Sequence, residues 1–412
     1  MPRDSCLFVF FCNCGGGREG RRAGEEREGR WGFMLVKIIA PLFMLVALGF
    51  GREFFEISGL DWLFYFLLAA SITMALLPLI IKLAFHFNLL DQSDQDHRRK
   101  VHRDPTPKIG GIAVVGGFMS ALLLAGTQSP ELTAIIAGSL LIFFSGVLDD
   151  IFCLSTKLRF LAQLAAALLV IWFGVRLSLL PETTFWARNL NILLTLLWII
   201  GLTNAFNFLD GINGEASGIA VIIGTALAIF AFAHSTTLRG EVIVIAVGAT
   251  AGFMPYNLKR RAEVFLGDGG SGFLGFFLAV MALHINWGDQ PGLVNLLMPV
   301  AIFSLGIYDM CLTTVTRIYS GKVKNIHDWL VFTGKDHIHH RLTGILGGSR
   351  LAAVFFIYVV AVANAVFPVL YIIYRGTSDW FIYAAFAQTM LIYVMITIML
   401  FSYRYERRKE AR

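Results

Sequence analysis

Long apolar runs alternate with short polar stretches over nearly the whole chain. Twelve of these runs approach the length that a helix needs to cross a bilayer, about 20 mostly apolar residues. They cover 34–50, 63–86, 109–127, 131–148, 159–177, 190–208, 216–234, 241–257, 266–284, 292–313, 351–374 and 380–403. Because the runs are continuous and do not alternate polar with apolar positions, they exclude a transmembrane β-barrel. The pattern predicts an all-α fold, a polytopic membrane-embedded helical bundle.

The first run differs from the others because it is short and contains Lys37. It either crosses the membrane or lies on the membrane surface. We therefore assign the membrane-embedded domain to 62–403, with eleven core spans, and treat 34–61 as an additional membrane segment and loop. Residues 404–412 form a basic tail.

The composition agrees with a chain that is embedded in a lipid bilayer. Of the 412 residues, 57% are hydrophobic and only 15% are charged, whereas soluble globular domains have about 45–50% and about 25%. The net charge of +6 does not indicate a nucleic-acid partner, because in a membrane protein the distribution of Lys and Arg between the two sides carries the information.

The basic residues collect on one side of the predicted bundle. The loops 87–108, 149–158, 209–215, 258–265, 314–350 and 404–412 hold twenty Lys and Arg, and the loops on the other side hold four. By the positive-inside rule the first set faces the cytoplasm. The charge distribution predicts a membrane protein whose polar clusters face the cytoplasm.

The first 33 residues differ in composition from the rest of the chain. Cys6, Cys12 and Cys14 lack a nearby fourth ligand for a zinc site. A signal peptide would carry its charge before the apolar run, and here the charge follows it. We favour a disordered tail, or an upstream start codon with Met34 as the true start.

Five polar clusters all fall on the predicted cytoplasmic side, although the spans are drawn from apolar length alone. In chain order they are Asp94–Gly111 with Lys100, Asp149–Asp150 with Lys157, Thr203–Gly214, Leu266–Gly272 and Asp336–Arg341. Such a one-sided distribution indicates a functional site at this face. Each cluster also has a simpler explanation, such as a solvated positive-inside loop or polar contacts between helices.

The carboxylates favour a hard cation. Asp149 and Asp150 end an apolar run, where ionised groups beside hydrocarbon are costly, and oxygen ligands of this kind suit a divalent cation. Asn204, Asn207 and Asp210 recur at three-residue steps, which keeps them near one face of a helix. Their amides and carboxylate offer further oxygen ligands and hydrogen-bond donors.

The last two clusters suit phosphate. Asp268 lies in a glycine-rich segment that opens a helix, and helix N-termini bind phosphate through backbone N–H groups. The anionic Asp268 would repel phosphate unless a cation lies between them, so this segment indicates Mg²⁺-phosphate. For His337, His339, His340 and Arg341 we favour contacts to phosphate and sugar oxygens over zinc, because no cysteine lies nearby.

Together the clusters predict phosphoryl transfer between a water-soluble phosphorylated donor and a lipid phosphate, driven by positioning and charge neutralisation. The chain has no GxxxxGK[ST] segment, which argues against nucleotide hydrolysis as an energy source. A secondary transporter or lipid flippase is the main alternative, but its polar groups would lie near the bilayer midplane. A structural membrane protein would give no reason for the polar groups to gather on one side.

These five ordered motifs resemble the polyprenyl-phosphate N-acetylhexosamine-1-phosphate transferases, over about residues 62–403. The His-Ile-His-His-Arg block at 337–341 is most similar to the undecaprenyl-phosphate GlcNAc-1-phosphate transferases. The resemblance implies a UDP-N-acetylhexosamine donor, an undecaprenyl phosphate acceptor, UMP as leaving group and Mg²⁺, with Mn²⁺ as a substitute. It leaves a homodimer open. The lipid-linked product would start cell-surface polysaccharide synthesis, and the undecaprenyl acceptor implies a location in a bacterial inner (plasma) membrane.

The resemblance also implies roles for individual residues. Catalytic groups would be Asp149, Asp150, Asp210 and Asp268, and the metal ligands would be Asp268, Asn207 and Asp210. Substrate contacts would come from Lys100, Lys157, Asn204, Asn207, Asn213, His337, His339, His340 and Arg341.

Two departures from the family pattern bear on these roles. The family usually reads Asp-x-Pro-x-x-Arg-Lys in the first loop, and this chain has Asp96 at the proline position. Many members read Asp-Gly-Ile-Asp-Gly-Leu in the third motif, where this chain has Asn213 and then Glu215. The second departure leaves the identity of the sugar open.

Overall fold

The structure is a computed structural model, and it describes residues 22–91, 105–126, 129–234, 237–285, 287, 292–323, 334, 336–374 and 380–410. Thirteen helices fall in these ranges. They are α1 (Arg22–Ile57), α2 (Asp61–His86), α3 (Gly111–Ala125), α4 (Pro130–Phe152), α5 (Thr156–Trp172), α6 (Phe185–Leu209), α7 (Glu215–His234), α8 (Thr237–Asn257), α9 (Gly267–His284), α10 (Val294–Tyr319), α11 (Ile338–Ile345), α12 (Arg350–Ile373) and α13 (Trp380–Glu410). This confirms the all-α membrane bundle.

Each of the twelve predicted spans coincides with one of these helices, and α11 is the additional short one. Within the described residues, nine helices are long and apolar enough to cross a membrane by themselves. The other three are α3, α5 and α9, with 15, 17 and 18 residues. Helix α3 is apolar but short. Neighbouring helices shield nearly all of α9, so α9 needs less hydropathy of its own.

Helix α9 forms the centre of the bundle. Nearly all of its side chains from Gly267 to Ala282 are buried, and it packs against α3, α4, α6 and α7. The ring of Phe118 on α3 lies 5.4 Å from Phe273 and 5.3 Å from Phe277, in edge-to-face contacts. These apolar contacts hold the polar start of α9 in a fixed position at one end of the bundle, which we call the site face.

The first helix reaches the site face through a charged contact. Lys37 Nζ donates to both carboxylate oxygens of Glu263, at 2.7 Å each, and Glu263 lies in the loop before α9. From Lys37 to Ile57 the helix has the length and apolar character of a span, and it packs along α2. Lys37 therefore lies where the apolar part of α1 begins, and the crossing of the membrane by 34–50 stays a prediction.

A short hairpin that the apolar pattern does not predict lies at the same face. Strand β1 (Leu90–Asp91) pairs antiparallel with β2 (Thr106–Pro107). Pro107 O then accepts from Phe265 N at 2.8 Å, and Gly110 N donates to Phe265 O at 2.9 Å. The hairpin is thereby fixed to the segment that leads into α9.

Candidate functional site

Three carboxylates from three helices line one cleft at the site face. Asp150 lies near the end of α4, Asp210 follows α6, and Asp268 lies in the first turn of α9. The cleft has a volume of about 230 Å³, and Asp91 and Lys108 also line it. Polar residues that are 58 or more positions apart in the sequence thus meet around one water-accessible space.

The backbone at the start of α9 allows this approach. Gly267 has φ +78°, and a Cβ there would lie 1.9 Å from Lys108 O, so the position requires glycine. Gly269 N donates to Asp150 Oδ2 at 3.2 Å. On the α4 side, a Cβ on Gly146 would come within 2.6 Å of the Asp268 backbone. Glycines therefore bring α4 and α9 together at their carboxylates.

Asp149 points to a different partner from its neighbour Asp150. Arg159 Nη1 donates to Asp149 Oδ2 at 2.8 Å and lies 3.3 Å from Asp268 Oδ2. One guanidinium thus bridges two carboxylates from α4 and α9. Asp149 is not among the residues that line the cleft. Of the two adjacent aspartates, Asp150 therefore lines the cleft and Asp149 orients Arg159.

Asp210 is a cleft carboxylate whose surroundings disfavour its negative charge. Burial raises its pKa well above the usual range, and the nearby charges of Asp268, Asp150 and Glu215 raise it further, against a lowering hydrogen bond from the Gly267 backbone. A low-dielectric site disfavours an isolated charge, and like charges disfavour each other. A bound cation would relieve this repulsion.

The two predicted amides on α6 have different surroundings. Asn207 Oδ1 accepts from Ser271 Oγ at 2.9 Å, which places it beside α9 one turn from Asp268. Asn204 instead donates to Gln163 Oε1 on α5 at 2.8 Å, and Gln163 Nε2 donates back to Asn204 Oδ1 at 3.3 Å. Asn204 is not among the cleft-lining residues, and its contacts are those of polar packing between helices.

The turn after Asp210 is fixed by hydrogen bonds from three directions. Asn257 Oδ1 accepts from Gly214 N at 2.7 Å, and Asn257 Nδ2 donates to Val264 O at 2.9 Å. Tyr358 on α12 donates to Gly214 O. Asn213 Nδ2 donates to Lys259 O at 2.9 Å.

Asn213 lies between two cavities. It lines the carboxylate cleft and also a larger cavity of about 600 Å³, which Lys259, Arg260, Ser349 and Arg350 line as well. The Asn213 side chain is only 8% exposed, and its Oδ1 has no hydrogen-bond partner among the described residues. The residue that departs from the family pattern therefore lies at the junction of an acidic and a basic space.

The histidine-rich segment forms the short helix α11 and the turn before it. His337 Nδ1 lies 2.6 Å from Asp309 Oδ2, and Ile338 N donates to Asp309 Oδ1 at 2.6 Å. His337 and His339 are 7% and 1% exposed. Phe208 stacks on the His337 ring at 5.0 Å, so this segment packs closely against α6 and α10.

Two arginines complete the packing of this segment. Arg317 donates to both carboxylate oxygens of Asp336, at 2.8 and 2.7 Å. Burial alone would raise the pKa of Asp336, but the hydrogen bonds and charge of Arg317 lower it below its usual value. Arg341 donates to Asp336 O and to Thr316 Oγ1.

His339 contacts the Asp210 turn directly. Its Nδ1 lies 3.0 Å from Glu215 Oε2, without the alignment of a hydrogen bond, and a Cβ on Gly211 would lie 2.3 Å from its Nε2. Burial lowers the pKa of His339 to about 4, against the opposing effect of Asp309. His339 is therefore a neutral imidazole at pH 7.

Of the remaining predicted residues, Lys157 and His340 do not line the cleft. Lys157 is exposed in the first turn of α5, His340 is partly exposed on α11, and Lys100 lies outside the described residues. Their contacts with substrate stay predictions.

The donor set around the cleft fits Mg²⁺ in one particular mode. Among the described residues, no three His, Cys, Asp or Glu side chains come close enough to form an all-protein metal site. Mg²⁺ commonly uses one or two carboxylates and completes its shell with waters and substrate phosphates. Asp268 and Asp210, with the Asn207 carbonyl nearby, offer hard oxygen donors of this kind.

Sequence reasoning gave no individual site role to several polar residues that the fold places in or beside the site, namely Lys108, Arg159, Asn257, Ser271, Asp309 and Arg317, although Lys108 and Ser271 lie within two of the predicted clusters. One signal was available for Asp309, because a lone carboxylate inside an apolar run indicates a functional position. Arg159 and Asn257 carry no comparable signal.

Comparisons with known proteins bear on the family. The glycosyl transferase family 4 model matches residues 132–286. A Bacillus subtilis protein named probable undecaprenyl-phosphate N-acetylglucosaminyl 1-phosphate transferase is 29% identical, over 81% of this chain and 89% of its own length. A Mycobacterium leprae decaprenyl-phosphate N-acetylglucosaminephosphotransferase is 32% identical, over 71% and 79%. A Yersinia pestis undecaprenyl-phosphate alpha-N-acetylglucosaminyl 1-phosphate transferase is 28% identical, over 78% and 87%.

Proposed function

This chain belongs to glycosyl transferase family 4, and on that premise we propose that it is a polyprenyl-phosphate GlcNAc-1-phosphate transferase. In the proposed reaction a phosphate oxygen of undecaprenyl phosphate attacks the β-phosphorus of UDP-GlcNAc. The bond between the β-phosphorus and the bridging oxygen breaks, UMP leaves, and GlcNAc-diphospho-undecaprenol forms. The relatives' names support this reaction over the transporter alternative.

The observation that carries the proposal is the meeting of Asp150, Asp210 and Asp268 in one cleft at the end of membrane-spanning helices. A lipid phosphate can approach such a cleft from the bilayer and a nucleotide sugar can approach it from water. Lys108 lines the same cleft and offers a positive charge for a phosphate oxygen. The bundle therefore joins a lipid-facing exterior to a polar reaction site.

The acceptor needs positioning more than deprotonation. A phosphate monoester has a second pKa near 6, so its oxygen is largely anionic at pH 7. The residues of the cleft then have two tasks, to hold the two anionic substrates together and to stabilise charge on the transferred group. Arg159, which bridges Asp149 and Asp268, keeps the carboxylates of α4 and α9 in register for these tasks.

We further propose that Mg²⁺ binds at Asp268 and Asp210 together with the donor diphosphate, with Asn207 beside them. The ion would neutralise charge on the diphosphate and the leaving UMP. The raised pKa of Asp210 supports this proposal, because burial first and the neighbouring carboxylates second disfavour its charge in the metal-free protein. We also propose that the site face lies in the cytoplasm, on the support of the positive-inside count.

An isotope-exchange assay on purified protein in detergent tests the reaction. Radiolabelled UMP is added to protein with Mg²⁺, UDP-GlcNAc and the preformed GlcNAc-diphospho-undecaprenol. Label that enters UDP-GlcNAc, only when the lipid product is present, establishes reversible phosphosugar transfer. EDTA should abolish the exchange, and Mg²⁺ in excess should restore it.

The sugar is tested by replacing GlcNAc in both the nucleotide and the lipid. Exchange with another UDP-N-acetyl sugar, but not with GlcNAc, would keep the reaction and change the substrate. The absence of exchange with any such donor, in protein that still unfolds cooperatively on heating, would contradict the transferase proposal.

A further inference from the structure

Two buried acid–histidine pairs lie behind the turn that carries Asp210. Asp309 on α10 pairs with His337, and Glu215 at the start of α7 pairs with His339. Asp309 and Glu215 are 1% and 0% exposed. Neither acid lines the cleft, so neither can contact a substrate there, yet both are buried carboxyls of a kind that folds rarely retain without a function.

The geometry around His337 determines where its proton lies. Arg317 Nη2 approaches His337 Nε2 at 3.3 Å, and a guanidinium can only donate. His337 Nε2 is therefore the acceptor, and Nδ1 carries the proton that it donates to Asp309 Oδ2 at 2.6 Å. Both ring nitrogens are engaged with protein groups, which fixes the orientation of the His337 ring.

His339 is held between an acid and the backbone of the turn. Its Nδ1 lies 3.0 Å from Glu215 Oε2, and its Nε2 lies so close to Gly211 that a Cβ there would approach to 2.3 Å. Gly211 and Asp210 are adjacent in the chain and both line the cleft. The position of the His339 ring therefore limits the position of the Asp210 carboxyl.

We propose that Asp309 and Glu215 are positioning residues, which hold α11 against the Asp210–Asn213 turn through His337 and His339. The inference rests on the proposed function, since the turn lines the cleft where transfer would occur. In this arrangement the three histidines of the His-Ile-His-His-Arg block have different tasks. His337 and His339 hold the turn, and contact with the diphosphate or sugar stays a prediction for His340 and for Arg341, which already donates to Asp336 O and Thr316 Oγ1.

Conservative substitutions of the two acids test the positioning role. Asp309→Asn removes the negative charge that orients the His337 ring, and the new amide can place an N–H group opposite the Nδ1–H of His337. Glu215→Gln replaces the carboxyl beside His339 with an amide of equal size. We expect each to lower kcat of the exchange about 10–100-fold, the usual cost of losing an orienting partner. The KM for UDP-GlcNAc should change less than about threefold, because misplacement of a reacting group mainly affects the chemical step.

The matched control is Glu182→Gln, which removes an exposed acid that pairs with Arg176 away from the cleft. It should leave both kcat and KM unchanged. If Asp309→Asn and Glu215→Gln are folded and keep kcat within about twofold of the wild type, the positioning role is wrong. A rise in KM with kcat preserved would also overturn it, because it would indicate substrate contact.

A double-mutant cycle tests the same contact without any need for activity. Gly211→Ala should lower the thermal unfolding midpoint in the wild-type background, because its Cβ collides with the His339 ring. In the His339→Ala background the Cβ added at position 211 no longer meets the imidazole ring. Gly211→Ala should then lower the unfolding midpoint by at most half as much as it does in the wild type. Additive effects would overturn the contact between α11 and the turn, even if Asp309→Asn or Glu215→Gln failed to fold.

The two readouts separate this inference from the proposed function. If the wild type shows no exchange with any sugar, the transferase proposal fails, while the cycle still reports whether His339 restrains the turn. If exchange is normal and the cycle is additive, the transferase proposal stands and the positioning role fails.

Discussion

The carboxylate cleft and the histidine helix α11 contain similar residue types in opposite environments. Asp150 and Asp268 are partly exposed to the cleft, and burial together with the charges of its acidic neighbours raises the pKa of Asp210. Around α11, Asp309 is buried against His337, and Arg317 is only 4% exposed where it meets Asp336. One region leaves acids facing a water-accessible space, and the other neutralises them inside the protein.

This difference separates binding capacity from structural support. An acid beside water with like charges nearby can gain a cation or hold a substrate at low cost. A buried acid that already has its hydrogen-bond partners has little left to offer a ligand, and its loss leaves the partner unpaired. Two polar clusters that look alike in the sequence can therefore have different tasks. The solvent exposure of their side chains in the fold distinguishes a binding site from a structural contact.

The largest effect should come from Asp268→Asn. Removal of this charge from the cleft should lower exchange activity about 10²–10³-fold, as for loss of a group that stabilises developing charge. The unfolding midpoint should change little, because the side chain is 38% exposed. Exchange and thermal unfolding in detergent measure the two quantities.

Asp61→Asn, at the start of α2, is the control for Asp268→Asn, because Asp61 is an acid that does not line the cleft. Its activity should match that of the wild type. Wild-type activity in Asp268→Asn would contradict a binding role for the exposed cleft acids, because this acid would then be dispensable for the reaction.

Arg317→Met should mainly lower the free energy of unfolding. Its loss strips Asp336 of a bidentate partner and His337 of a donor, and breaking such a buried pair costs about 3 kcal/mol or more. Arg188→Met, which removes an exposed arginine on α6, should change the unfolding free energy by less than about 0.5 kcal/mol. Denaturant or thermal unfolding of both variants measures the difference. Equal stabilities of Arg317→Met and Arg188→Met would contradict a stabilising role for the buried arginine.

Gly146→Ala should disturb the cleft through the backbone. Its Cβ would come within 2.6 Å of the Asp268 backbone, so α4 and α9 must separate, at a cost of about 1–3 kcal/mol. The matched variant is Gly201→Ala on α6, where a Cβ meets nothing within 4 Å. That variant should stabilise the helix by about 0.5–1 kcal/mol, and a reversed order of the two unfolding midpoints would refute the close contact.

A smaller effect should appear in the pH dependence of Asp210→Asn. Because the folded-state pKa of Asp210 is raised, the folded protein holds this proton more tightly than the unfolded chain does. Its contribution to stability is therefore present at low pH and is lost as the pH rises through the raised value. In metal-free detergent solution the wild type should lose stability with rising pH relative to Asp210→Asn.

Added Mg²⁺ should oppose this loss and should stabilise the wild type more at alkaline than at acidic pH. A difference between the wild type and Asp210→Asn that stays constant with pH would show that the cleft acids do not repel one another.

Much of the fold could be predicted from the chain itself. Apolar length is a local property, and all twelve predicted spans coincide with helices because a bilayer requires every backbone polar group to be paired within its own segment. The concentration of polar motifs on one side also followed from the spans. Asp150, Asp210 and Asp268 could thus be assigned to one face, and the fold places them in one cleft.

Side-chain partners could not be predicted in the same way. Arg159 bridges Asp149 and Asp268, and Gln163 pairs with Asn204 across two helices, although neither residue belongs to a motif. The opposite holds for His337 and His339, which belong to the densest motif and are buried against Asp309 and Glu215. Which side chains pair depends on which faces of two helices meet. The rotation of each helix about its own axis decides this, and packing against neighbouring helices sets that rotation.

The sequence by itself determined that this is a membrane bundle with an oxygen-rich site at one face, because apolar length and the side on which charges fall can be read position by position. Only the tertiary structure decided which acids face water and which are neutralised inside the protein. That distinction depends on distances between segments far apart in the chain, such as Gly211 to His339 or Gly146 to Asp268, and close packing decides those distances for the molecule as a whole.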